Sequence, residues 1–229
     1  MSNYDENKII LARLLVAGGA LKFGEFTLKS GLPSPYFIDF GEINDGPGLN
    51  ALGSCFANRM FTLSESGKIH QPDYLFGPAY KGIALAAATA MQLANQYGIK
   101  VCYGSARKEE KKHGERARFI GAKPKNSSRI LVLDDVFTTG ETKEEAVADI
   151  YSEAPEASIE GIIIGIDRCE ADKEGSTAAE KFLRKHKIQT FSILVIYEFI
   201  DISYKLGILS DENKARIEGH LAKYGVKAN

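Results

Sequence analysis

From residue 74 onward, short and continuously apolar runs alternate with longer amphipathic stretches. The runs are YLFGPA (74–79), KVCYGSA (100–106), ILVLDD (130–135), IEGIIIGIDR (159–168) and FSILVIYEF (191–199). Between them lie stretches with helical spacing: the Ala-rich 83–97, then 142–154 and 177–187. A strand that is apolar at every position is buried on both faces, and helices between such strands make a parallel sheet covered on both sides. The pattern therefore predicts an α/β fold with a central parallel sheet, its strands at 74–79, 101–105, 130–135 and 160–167. Before residue 74 the pattern differs. Ile9, Ile10, Leu14 and Leu15 form a helical stripe over 5–17. The segment 26–40, FTLKSGLPSPYFIDF, is broken by Gly31, Pro33 and Pro35 and reads as two short strands around a turn, followed by a helix over 48–66. These early elements predict a small hood, formed mainly by 1–45 with part of the C-terminal region, on a core of about 46–200.

With 229 residues, 44% apolar and 26% charged, the chain suits one globular domain over 1–229. The formal net charge is −1, so no global basic field argues for nucleic acid, and any basic site is local. No apolar run approaches the ~20 residues that span a bilayer, and the polar start MSNYDENKII lacks a secretory pattern. Cys55, Cys102 and Cys169 form no C-x-x-C pair and sit in or beside apolar stretches. They read as reduced, buried thiols, so a cytoplasmic protein is expected. The histidines show no metal-ligand spacing, and no metal held directly by side chains is expected.

The densest chemistry lies in ILVLDDVFTTGET, residues 130–142. A buried strand runs into two aspartates, a Thr/Gly turn and a helix, and ligands of open α/β sheets bind at such strand ends. The N–H groups of 138–142 would face outward at the helix start, where phosphate binds well. Thr138, Thr139 and Thr142 add hydroxyls, Gly140 lets the backbone approach closely, and Thr142 with Glu145 fits a capping box. Asp134 and Asp135 could hold two ribose hydroxyls, and both are expected at a loop mouth, outside the core. An acidic, capped helix start with no ligand is the alternative.

The strand, Asp-Asp, apolar pair and Thr-Thr-Gly turn resemble the PRPP-binding motif of type I phosphoribosyltransferases. Three further segments, LKFGEFTLKSG with SPYF (21–31, 34–37), FGPAYKG (76–82) and RKEEKKHGE (107–115), resemble their counterparts in the orotate phosphoribosyltransferases. With Asp167-Arg168 the likeness runs from about residue 4 to about 200, and the tail after 205 adds little. The resemblance implies the type I phosphoribosyltransferase fold. It gives the ribose hydroxyls to Asp134 and Asp135 and the 5′-phosphate cradle to Val136, Phe137, Thr138, Thr139, Gly140, Glu141 and Thr142. Glu141 stands where many relatives carry a small or neutral residue, so its side chain is expected to point to solvent. Lys29, Tyr80 and Lys81 are implied at PRPP, with a cis peptide at Ala79–Tyr80. Lys81 could equally be a surface lysine opening the next helix.

Residues 107–118 hold six Arg/Lys, three Glu and one His. Alone, such a run is a solvated loop. Between two sheet strands and ahead of the PRPP motif it reads as a mobile lid over 106–119. By the resemblance Arg107, Lys108, Lys111 and His113 meet pyrophosphate, Lys111, His113, Asp134 and Asp135 are catalytic, and the loop with Lys111 and His113 reaches the partner subunit's site in a homodimer. Phe37 and Ile38 match the pair that flanks orotate, and Thr138 lies beside it. Phe37 could instead be core. Arg168 ends a buried strand beside Asp134, and its planar fork suits the orotate carboxylate. Its alternative is structural pairing with Glu170 or Asp167.

The implied reaction joins N1 of orotate to C1 of PRPP with inversion and releases pyrophosphate. The protein supplies position and charge, and Mg²⁺ comes mainly on PRPP oxygens. Another base of the same fold class and a PRPP-binding regulator are the alternatives. A carboxylate clamp argues against the first, and an intact basic lid with a net charge of −1 against the second.

Overall fold

The computed structural model describes residues 5–108, 118–172 and 174–226. Strands β3 (Tyr74–Phe76), β4 (Cys102–Ala106), β5 (Phe119–Gly121), β6 (Arg129–Val136), β7 (Ser158–Asp167) and β8 (Thr190–Val195) form one sheet in the order β5-β4-β3-β6-β7-β8. Neighbours are parallel except β4 and β5. Helices α1 (Glu6–Ala17), α2 (Gly46–Glu65), α3 (Lys81–Tyr97), α4 (Glu141–Glu153), α5 (Ala178–His186), α6 (Ile196–Lys205) and α7 (Asp211–Tyr224) surround it.

The apolar strands are divided by the two-residue period of a pleat. Leu75, Leu131, Leu133 and Ile163 face a cluster that includes Leu15, Phe56, Leu85 and Phe199, from α1, α2, α3 and α6. Phe76, Ile130, Val132, Ile162 and Ile164 face the opposite cluster, closed by Val147 and Ile150 of α4 and Phe182 of α5. Both faces are covered, as continuously apolar strands require.

Strands β1 (Leu21–Thr27) and β2 (Pro33–Ile38) form a separate antiparallel pair, and α7 packs against β2. The first strand thus starts at Leu21, ahead of the 26–40 segment that the sequence marks. The turn between the strands places Gly31 at φ 81°, and the Gly31 N–H donates to the Leu28 carbonyl.

One more boundary and one thiol differ from the sequence reading. The apolar run 191–199 is not one strand: β8 stops at Val195 and α6 begins at Ile196. Ile196, Phe199 and Ile200 are buried at helical spacing, and the Glu198 carboxylate accepts from the Val195 N–H. A short apolar run carries both periods, and here capping decides. Cys102 is exposed, whereas Cys55 and Cys169 are buried. β5 covers β4 only from Gly104 to Ala106, so the amino end of β4 is left open.

The chain leaves β3 toward β4 on one side and leaves β6 toward β7 on the other. The carboxyl edge between β3 and β6 is therefore the switch point of the sheet, where open α/β folds form their crevice.

Candidate active site

Two loops diverge at that edge. After β3, Gly77-Pro78-Ala79-Tyr80 leads into α3, and the Ala79–Tyr80 peptide is cis. Gly77 is required by close approach: a Cβ there would lie 1.9 Å from the Gly82 carbonyl oxygen. Tyr80 is exposed, and Lys108 Nζ lies 5.5 Å from its ring centre. Lys81 donates to Asp39 Oδ1 and stands 3.9 Å from Asp135 Oδ2. Burial opposes charge on Lys81, yet the Asp39 bond and the nearby aspartates outweigh it and raise its pKa. Lys81 is thus an exposed lysine at the first position of α3 that is also tied to the acidic cluster.

After β6 the backbone turns through Gly140 at φ 90° into α4. The capping box expected at Thr142 is not formed, because the helix starts earlier, at Glu141, with Gly140 as its N-cap and no side chain capping it among the described residues. The capping box belongs instead to α5, where Thr177 and Glu180 bond reciprocally. At the start of α4 the backbone N–H groups remain oriented for an anion. Thr139 and Glu141 are exposed, Thr138 and Thr142 half-buried, and Gly140 buried. Phe137 is largely buried, its ring edge-on to Phe182 with 5.6 Å between centres, and it borders the recess that also holds Thr138 and Arg168. The Val136 carbonyl accepts from Lys143.

Asp134 does not sit free at a loop mouth. It is 7% exposed, and its Oδ2 lies 2.5 Å from Lys143 Nζ, while its Oδ1 accepts from the Asp135 N–H at 2.9 Å. Asp135 Oδ1 accepts from the Val136 N–H at 2.7 Å. Burial and the neighbouring Asp134 push the Asp135 carboxyl up to about 6, against the lowering pull of Lys143, the Val136 N–H and Lys81.

Arg168, the residue expected to meet the base, lies at the end of β7. Arg168 is 3% exposed. Its Nε donates to both Glu170 oxygens at 3.1 Å, and its Nη2 donates to Glu170 Oε1 at 2.7 Å and to Ser34 Oγ at 2.9 Å. The guanidinium stacks 4.1 Å from the Tyr36 ring centre. The pairing with Glu170 is therefore the one formed. A bidentate grip on a ligand through the Nη1–Nη2 edge would have to displace Ser34. Glu170 also meets His220 Nε2 of α7 at 2.7 Å. Burial alone would raise the Glu170 carboxyl, but bonds from His220 and Arg168 outweigh it and hold it below the ordinary range. The tail after 205 is thus part of the site's support.

Phe37 is half-buried and packs on Phe26 with ring centres 5.5 Å apart. Ile38 points the other way into the main core, 4% exposed, so it offers a base backbone but no side-chain face. Lys29 is exposed in the β1–β2 turn. The Arg107 N–H donates to the Arg118 carbonyl at 2.8 Å, which holds the two ends of the basic segment together. Lys111 and His113 lie outside the described residues.

Three recesses ring the loop after β6. One of about 490 Å³ is lined by Leu28, Thr138, Thr139, Asp167, Arg168 and Thr177. A second, about 450 Å³, has Ala79, Arg107, Lys108 and Thr142. A third, about 300 Å³, has Lys81, Asn44, Asp134 and Asp135. Among the described residues no cluster of three or more metal-binding side chains occurs, and no helix is long and apolar enough to cross a membrane.

Comparison with known proteins decides the family. The orotate phosphoribosyltransferase of Clostridium acetobutylicum is 37% identical over 218 residues, covering 93% of this chain and 95% of that protein. The chain belongs to the orotate phosphoribosyltransferase family. The Neurospora crassa member is 38% identical over 221 residues, covering 91% of this chain and 92% of that one. Among solved structures, the Francisella tularensis orotate phosphoribosyltransferase superposes with a TM-score of 0.72 at 32% identity, covering 93% and 98% of the two chains. Leishmania donovani UMP synthase reaches the same TM-score at 23% identity, covering 95% of this chain and 42% of that one, and shares the fold. No family model matches the chain.

Sequence reasoning passed over Lys143 and His220, and it named Glu170 as the structural alternative partner of Arg168, the pairing the structure forms. Lys143 carried a signal: Lys143, Ala146, Val147 and Ile150 share the buried stripe of α4. The pairing of Glu170 with His220 is a tertiary contact that no local pattern announces.

Proposed function

We propose that the chain transfers the 5-phosphoribosyl group of PRPP to N1 of orotate, giving orotidine 5′-monophosphate and pyrophosphate in pyrimidine nucleotide synthesis. The observation that carries this reading is one cavity lined by both phosphate-loop hydroxyls and a basic group, Thr138 and Thr139 beside Arg168. The α4 N-terminus takes the 5′-phosphate, and Asp134 and Asp135 face the ribose hydroxyls. Arg168, oriented by Glu170 and Ser34, offers Nη1 to the orotate carboxylate, and Phe37 lies along the base. Lys29, Lys81, Arg107 and Lys108 are assigned to the anionic end of PRPP.

Loss of pyrophosphate leaves positive charge on C1 and the ring oxygen, comparable to the glycosidase transition state. Orotate N1 attacks from the opposite face. The protein needs no nucleophile, and its work is positioning and charge stabilisation. Mg²⁺ brought with PRPP would supply charge neutralisation on the leaving diphosphate. We assign it no protein ligand, because the Asp134 and Asp39 carboxylates are already engaged by Lys143 and Lys81. We assign Lys111 and His113 to the partner subunit's site in a homodimer, because the basic segment is polar on every side. Two buried free thiols suit a cytoplasmic enzyme.

The test is a purified-protein assay with PRPP, Mg²⁺ and orotate, uracil, adenine or hypoxanthine. Pyrophosphate release with orotate alone is the expected result. Preference for a neutral base overturns the assignment.

A further inference from the structure

We propose that Lys143 is a positioning residue for this reaction: it ties Asp134 down and supplies the positive charge that lets Asp135 face the ribose of PRPP as a carboxylate. The proposal rests on the PRPP reading above and assigns unequal tasks to the two motif aspartates.

The argument starts with burial. Lys143 is 4% exposed, on the stripe of α4 whose other members are Ala146, Val147 and Ile150. An apolar side chain would suit that position, and a buried ammonium is costly without close partners. Lys143 has three: Asp134 Oδ2 at 2.5 Å, the Val136 carbonyl at 2.6 Å and the Phe137 ring centre at 5.1 Å. All three lie on the segment that carries the motif. Lys143 therefore fastens the first turn of α4 to the strand end it follows.

The oxygens of the acidic pair are used unequally. Both Asp134 oxygens are engaged, Oδ2 by Lys143 and Oδ1 by the Asp135 N–H. Asp135 Oδ1 accepts from the Val136 N–H, while its Oδ2 faces Lys81 at the longer distance of 3.9 Å. Asp135 Oδ2 is thus the oxygen in position to accept from a ribose hydroxyl, and Asp134 is the tethered one. To accept, Asp135 must be ionised beside a second buried carboxylate. The charged groups around the pair are Lys143 from α4 and Lys81 from the start of α3. Lys81 is shared with Asp39, which also has Lys22 within 4.0 Å. Among the described residues, Lys143 is the cation that sits against the pair without another acid to serve. With it present, Asp135 stands at about 6. Without it, the carboxyl moves further up, into the range where the enzyme would work.

The experiment is the pH profile of kcat/KM for PRPP, from pH 5 to 9, for wild type, Lys143→Met, Lys143→Gln and Lys143→Arg. Glutamine keeps a donor and removes the charge, and arginine keeps the charge. The wild-type acidic limb is expected near 6. Met and Gln should move it up by about one pH unit or more, a roughly tenfold loss below the limb that largely recovers at pH 9, with Arg retaining the wild-type limb. If the Met variant fails to fold, the Gln variant decides. A uniform loss at every pH, or a limb that stays in place in Gln, overturns the proposal and leaves Lys143 a fold-stabilising residue. If wild type shows no orotate turnover, the functional reading fails first. Carboxyl-carbon NMR titration of Asp135 in wild type and Gln still tests the charge argument, and an unchanged midpoint defeats it.

Discussion

Removing the Glu170 carboxylate exposes how the base arm is held. In Glu170→Ala, Arg168 loses the partner that binds it at 2.7 and 3.1 Å, and His220 loses its bond at 2.7 Å. Side-chain exposures of 4% for Arg168 and 10% for Glu170 leave little water to replace the lost charge. Breaking one side of such a buried pair costs about 3–5 kcal/mol. For a domain of this size, ~2–4 °C in Tm accompanies each kcal/mol, so a fall of roughly 6–20 °C is expected by scanning calorimetry. Glu170→Gln, which keeps the shape, should fall less. The pH dependence follows from the depressed carboxyl. Its contribution is fully present above the ordinary value of 4.5 and is lost as pH falls through the lower folded value, so wild type and Glu170→Gln should converge in acid. Kinetically, a misaimed Arg168 in Glu170→Gln should raise KM for orotate about tenfold, the equivalent of ~1.4 kcal/mol, while KM for PRPP changes little. A Tm for Glu170→Ala within about 2 °C of wild type would mean that Arg168 is hydrated and unpaired in solution. Equal rises in both KM values would remove Arg168 from the base site.

Other substitutions separate the remaining roles. Asp135→Asn keeps the Lys143–Asp134 pair, so turnover should collapse with Tm nearly unchanged. Asp134→Asn leaves Lys143 unpaired, so it should also lose about 3–5 kcal/mol in denaturant unfolding, and equal stability of the two variants would contradict the geometry. Gly77→Ala should lower Tm and raise KM for PRPP, because its Cβ would sit 1.9 Å from the Gly82 carbonyl oxygen; a wild-type KM would show that the loop yields freely. Lys111→Ala mixed with Asp135→Asn should recover about a quarter of wild-type activity after subunit exchange, since random pairing makes about half the dimers hybrids with one intact site each. No recovery in that assay would confine Lys111 to its own subunit.

Much of the fold was legible because the apolar pattern and the sheet obey one rule. Strand β6 could be found from ILVLDD, since a strand buried on both faces leaves no polar position until it reaches the edge. Strand β5 could not, since Phe119–Gly121 is three residues long and pairs only by tertiary placement. Residues 196–199 misled because an apolar run has no period until its caps are known. In the site, the motif and the glycine turn were visible as local sequence. The brace behind Arg168 was not: Glu170 and His220 are fifty positions apart, and Ile38 enters the core while Phe37 packs on Phe26 only once the strand's facing is fixed.

The link between α7 and the end of β7 also bears on the order in which the chain is made. His220 reaches Glu170, the Ala171 N–H donates to the Tyr224 carbonyl, and the Val226 N–H donates to the Cys169 carbonyl. Strands β6 and β7 and the phosphate loop are complete in a nascent chain well before these residues exist. Synthesis runs at ~5–20 residues per second, so a partly made chain spends seconds with its anion loop assembled and Arg168 short of its full brace. Such an intermediate would carry the turn after β6 before α7 can brace Arg168. The outermost support of Arg168, on this geometry, is what the growing polypeptide acquires late.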